Sequence, residues 1–179
     1  NQGRYHEAES LYKRSLANVE RQVGQNHPDT ATCLNNLAYL HVNEGKLAEA
    51  EVLIKKALAI RESTLGKDHP AVARNMALQA EILISRRQWA GAEALLSRAI
   101  DIEKLSLDPS HPDIASNMRD LCAVLEAQKK WSDAEALYKQ LIAVDGSTQA
   151  NESTLASDMD GLVKTLLAQG KEEEAKPLK

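Results

Sequence analysis

The 179-residue sequence contains no phenylalanine, and aromatic residues make up only 3% of it. That scarcity speaks against a thick sandwich core and suits thin helix–helix layers of alanine and leucine. There are two cysteines, Cys33 and Cys122, at sites too unlike each other to suggest a disulfide framework. They read as small buried residues of a reducing, cytoplasmic compartment. No apolar run approaches the ~18 residues of a membrane span, so insertion into a bilayer is not expected. The opening residues NQGRY carry no signal-peptide pattern and no initiator methionine, which reads as a fragment of a longer chain. Acidic and basic residues, 26 and 22, are mixed along the chain for a formal charge of −4. Without a basic stripe, nucleic acid is not the expected partner. Nucleotide-binding glycine patterns, a GxSxG elbow and an HExxH helix are all missing. No catalytic residue, metal or cofactor is expected, and enzyme activity is not.

What the sequence does have is a period. His27-Pro28, His69-Pro70 and His111-Pro112 stand 42 residues apart. Tyr5, Leu47, Trp89 and Trp131 share a second column at that spacing, and Ala8, Ala50, Ala92 and Ala134 a third. Self-similarity at a period of about 20–50 residues marks a stacked repeat array. Apolar residues recur at i, i+3, i+4 and i+7 within each unit, the mark of amphipathic helices. The expected fold is therefore all-α, a right-handed α-solenoid of antiparallel helix pairs running through residues 1–179.

The expected units follow from the columns. Residues 1–26 supply the second helix of a truncated repeat, which Gly24 stops. Repeats at 27–68, 69–110 and 111–151 follow, each opened by His-Pro or its equivalent and folded at a short turn: Asn43–Gly45, Arg86–Gln88 and Gln128–Lys130. Proline at the first helical position has its φ preset and lacks an N–H that would be unsatisfied there anyway. In the third repeat the second helix is expected to end near Val144, before a polar loop at 146–152. Residues 152–179 form a partial repeat offset by one deleted residue.

Aligned on Gly45, Leu37-Ala38 fall where the tetratricopeptide motif has its Leu-Gly pair. Leu47, Ala50 and Ala57 fall on its large residue and its two small ones. That motif has a period of about 34 residues, so this one is elongated. The long form resembles the repeats of kinesin light chains and nephrocystin-3, most clearly in LNNLA at 34–38 and ALAIRESTLGKDHPAVA at 57–73. Asn-Asn-Leu-Ala occurs only once, and the light chain's coiled-coil heptads do not occur at all. The resemblance implies an adaptor that binds a short extended peptide carrying an aromatic residue among acids. By position it carries over Asn35, Asn36 and Arg74, while Leu78, Asp120 and Gly161 depart from the pattern.

Helical spacing on the free face of each first helix adds Tyr39, Arg119 and Lys164 to the expected peptide-binding set. The cations suit acidic groups on a ligand. A carboxylate clamp is not expected, because residues 29–43 contain no lysine or arginine. The single histidine of each His-Pro pair reads as part of a helix start, and Trp89 and Trp131 read as packing residues. Two functions remain open at this point. One is a scaffold whose groove takes a linear segment of a partner protein. The other is a structural spacer that associates end to end.

Overall fold

The computed structural model describes residues 2–147 and 152–178. They fold into helices joined by short turns: α1 Gln2–Val23, α2 Pro28–Asn43, α3 Leu47–Leu65, α4 Pro70–Ser85, α5 Trp89–Ser106, α6 Pro112–Ala127, α7 Trp131–Ser147, α8 Glu152–Ala168 and the single turn α9 Glu172–Ala175. No strand occurs among the described residues. The chain forms two compact units, residues 1–86 with α1–α4 and residues 87–179 with α5–α9.

Each expected helix start has a concrete chemical basis. His27, His69 and His111 precede their prolines with extended backbone (ψ 147°, 138° and 132°). Each ring Nδ1 accepts a hydrogen bond from the backbone N–H two residues on: Asp29 at 3.2 Å, Ala71 at 3.1 Å and Asp113 at 3.2 Å. The histidine thus satisfies one of the donors a helix start leaves open, while proline removes another. At the hairpin turns, Gly45 and Gly170 have φ of +77° and +75°. Arg87 and Lys129 take the same left-handed conformation without glycine, at φ +57° and +60°.

In unit 1 the alanines let the helices close. Ala38 on α2, Ala50 and Ile54 on α3, and Leu78 and Ile82 on α4 form one buried cluster, with Leu47 packed against it. A second cluster joins Ala31 and Leu34 to Ala57 and Ile60, and Leu16 of α1 packs on it. Burying one such leucine or isoleucine contributes about 1.5–3 kcal/mol. In unit 2, Ala92, Leu96, Val124, Ala134 and Leu141 are buried in the equivalent layers. Trp89 and Trp131 are half-buried at the head of the second helices.

Two expectations need correction. Helix α7 runs to Ser147, three residues beyond the stop expected at Val144. An interior glycine costs only about 1 kcal/mol relative to alanine, and with no proline nearby Gly146 does not end the helix. The remainder of the expected polar loop, residues 148–151, lies outside the described residues. Cys33 is half-buried rather than buried. It sits where α2 meets α1, with Ser15 Oγ at 3.8 Å from its sulfur.

Candidate functional site

In unit 1, three elements meet through polar side chains. Arg61 of α3 is 4% exposed. Its Nη1 donates to the Ala71 carbonyl at 2.9 Å and to the Asn75 amide oxygen, and its Nη2 donates to Thr32 Oγ1 at 3.2 Å. Asn75, fully buried on α4, passes the chain on by donating from Nδ2 to Asn35 Oδ1 of α2 at 3.0 Å. Thr32 donates in turn to the Pro28 carbonyl at 3.1 Å. Every one of these acceptors is neutral, so the guanidinium keeps its whole positive charge. Burial, and then the like charge of Arg74, lower its pKa.

The surface over this lattice holds the other sequence-expected residues of the unit. Asn36 and Arg74 are exposed, and Tyr39 is 56% exposed. The structure therefore places Asn35 in the lattice itself, Asn36 and Tyr39 on the free side of α2, and Arg74 one residue before Asn75 on α4. The face carries the Asn36 amide and the Arg74 guanidinium, groups that can donate to carboxylates and to a peptide backbone.

Unit 2 uses its charges differently. Arg119 of α6 grips Asp158 of α8 with two nitrogens, Nε at 3.0 Å and Nη2 at 2.9 Å, and Asp158 is 2% exposed. Lys164 pairs with Glu126, whose other oxygen accepts from the Tyr138 hydroxyl at 2.9 Å. The Tyr138 ring lies over Gly161, where an added Cβ would collide with it. Asn117 donates from Nδ2 to both oxygens of buried Glu103, at 3.0 and 2.8 Å. Burial and the neighbouring charges of Asp158 and Glu126 push the Cys122 thiol up to about 12, so it stays protonated and inert. Burial and the bond to Glu126 raise the Tyr138 phenol as well.

Sequence reasoning missed Arg61, Asn75, Glu103 and Asp158 as working residues. The signal was present in the column 33, 75, 117 and 158, which carries Cys, Asn, Asn and Asp amid apolar neighbours. A polar residue repeated on a packed face must have partners. Among the described residues, no group of three or more histidine, cysteine or acidic side chains could hold a metal. Among the described residues, no helix is long and apolar enough to cross a membrane.

Family comparison agrees with this architecture. The tetratricopeptide repeat family matches residues 1–29, 30–71 and 75–147. No curated protein matches the chain. Among solved structures, the chain is similar to the TPR-like repeats of a Podosopora anserina protein of kinesin light chain type. There the identity is 23%, the TM-score 0.81, and the match covers 99% of this chain and 84% of the other. BtubC (BKLC) from P. vanneervenii matches with a TM-score of 0.89 at 20% identity, over 99% of this chain and 71% of that one. A Rap protein complexed with competence and sporulation factor matches at 15% identity and TM-score 0.72, this chain spanning 47% of its length. The helix pairs, the columns of small residues and the matched segments agree: the chain belongs to the tetratricopeptide repeat family, with the α-solenoid fold class of its kinesin light chain-like members.

Proposed function

We propose that this chain is an interaction scaffold that takes an extended acidic-aromatic peptide of a partner protein on the α2–α4 face of unit 1. The observation that carries the reading is Arg61, a buried guanidinium hydrogen-bonded only to neutral acceptors beneath the exposed Arg74. Such a pair suits an anionic ligand, because a surface guanidinium can donate paired hydrogen bonds to a carboxylate. Asn36 and Asn35 supply amides to a peptide backbone, and Tyr39 offers an aromatic face. Arg119 and Lys164 contribute less to this reading, since an acidic ligand must first displace Asp158 or Glu126. A structural neighbour, the Rap protein, was solved in complex with competence and sporulation factor. That complex supports binding to this kind of fold without naming a partner for this chain.

Fluorescence anisotropy with a tryptophan flanked by aspartates and glutamates tests the proposal. Asn36→Ala combined with Tyr39→Ala should weaken that peptide about tenfold or more while leaving helicity intact. Unchanged affinity would remove this face from consideration. The rival reading, end-to-end association, draws on α1. Tyr12 is 37% exposed, whereas its column equivalents Ile54, Leu96 and Tyr138 are buried, and Leu11 is 57% exposed. Concentration-dependent light scattering without peptide binding would favour that rival.

A further inference from the structure

A recess lies in unit 2, apart from the α2–α4 face. It measures about 290 Å³ and opens between α5 and α7 over α6. Its floor is Leu121 and Leu125, with Leu137 at one side, and its walls are kept low by Ser97 and Ala136. Its rim carries Glu93 and Asp133.

The repeat register explains why the recess exists here. Its counterpart in unit 1 lies between α1 and α3 over α2. Ser97 corresponds there to Lys13, Ala136 to Val52 and Gln140 to Lys56. Lys13 pairs with Glu9 at 2.6 Å, so a long charged side chain stands where unit 2 has Ser97. His41 stands where unit 2 has Leu125. Unit 2 thus has smaller side chains in place of Lys13 and Val52, an uncharged one in place of Lys56 and an apolar one in place of His41.

The rim states the ligand's charge. Glu93 is held ionised by Lys130 at 2.7 Å and by Gln128 at 2.6 Å, which lower its pKa. Asp133, exposed in the first turn of α7, pairs with no cation among the described residues. Apolar floor, small walls and an unpaired carboxylate describe one occupant. We infer that this recess docks a leucine-sized side chain flanked by lysine or arginine on a segment of a partner protein. The surface is separate from the α2–α4 face and has the opposite charge preference, so either reading can fail without the other.

The test titrates three capped tripeptides into the methyl-labelled whole chain and follows the methyl resonances of Leu125, Leu137 and Ala136. Lys-Leu-Lys should shift them at millimolar concentration, and Lys-Ser-Lys and Glu-Leu-Glu should each bind about fivefold more weakly or worse. Ser97→Lys with Ala136→Val installs the residues of unit 1 and should abolish the shifts at unchanged helicity. Asp133→Lys alters only an exposed side chain and should reverse the preference between Lys-Leu-Lys and Glu-Leu-Glu. Equal response to all three peptides, or no response to Lys-Leu-Lys, would overturn the inference. So would retained binding after the recess is filled, or a charge preference that Asp133→Lys leaves in place.

Discussion

The two units are built from one repeat and spend their buried polar groups in opposite ways. In unit 1 the polar column ends on a guanidinium with neutral partners, Arg61 with Asn75, Thr32 and the Ala71 carbonyl. In unit 2 the same column meets carboxylates, Asn117 with Glu103 and Asp158 with Arg119. Unit 1 therefore buries a guanidinium at position 61 where unit 2 buries a carboxylate at the equivalent position 103, and unit 2 adds the Arg119–Asp158 ion pair. A buried charge with only neutral hydrogen bonds is costly to hold.

The largest expected effect breaks the comparison in unit 1. Arg61→Ala leaves the Asn75 and Ala71 oxygens buried with their donor gone, which should cost about 2–4 kcal/mol. Urea unfolding followed by probes in each unit should show the loss in unit 1, and an undisturbed unit 1 would contradict the lattice. Unit 2 has its own weak point. Gly161→Ala drives a methyl group into the Tyr138 ring, an overpacking that costs about 1–3 kcal/mol and outweighs the gain in helix propensity. Combining it with Tyr138→Ala should cost clearly less than the two separate losses added together, because both act at one contact. Strict additivity would mean that the ring does not hold the glycine.

Acid sharpens what the units share. Lys13 and Lys46 hold Glu9 down at about 2, and Lys139 and Lys171 do the same for Glu135. Both folded pKa values lie below the ordinary 4.5. The stability they contribute is thus complete above pH 4.5 and is lost as pH falls toward 2. Melting temperature measured across that window should fall less steeply in Glu135→Gln than in the wild type; an identical slope would refute the linkage. The smallest effect concerns the turns. Lys129 holds φ +60° where unit 1 has Gly45, so Lys129→Gly should stabilise unit 2 by a few tenths of a kcal/mol up to about 1. Thermal melts resolve that sign.

Much of the fold was legible in the sequence, because helix pairs rest on local patterns. Spacing located α2 through α8, and glycine or its stand-ins located the turns. The His-Pro pairs were read correctly as helix starts, but the capping by the ring nitrogen was not. Proline already accounts for a helix start, and a side-chain acceptor leaves no trace in hydropathy. The candidate site was less legible. Asn35, Tyr39 and Arg74 could be assigned to one face by counting turns, and Asn36 only through the family resemblance. The partners that decide their chemistry come from other helices, Arg61 from α3 and Asn75 from α4, and no helical period connects them. Arg119 and Lys164 illustrate the same limit: their column was evident, while Asp158 and Glu126, lying 39 and 38 residues away, were not.

What decides the proposed function is where an acidic ligand meets positive charge. Affinity for one acidic-aromatic peptide should be measured on the wild type, Arg74→Glu and Lys164→Glu. Binding should be about tenfold weaker for Arg74→Glu, on the α2–α4 face, and should change within about twofold for Lys164→Glu, which lies in unit 2. Equal losses in both variants, or a loss in Lys164→Glu alone, would contradict the proposed function.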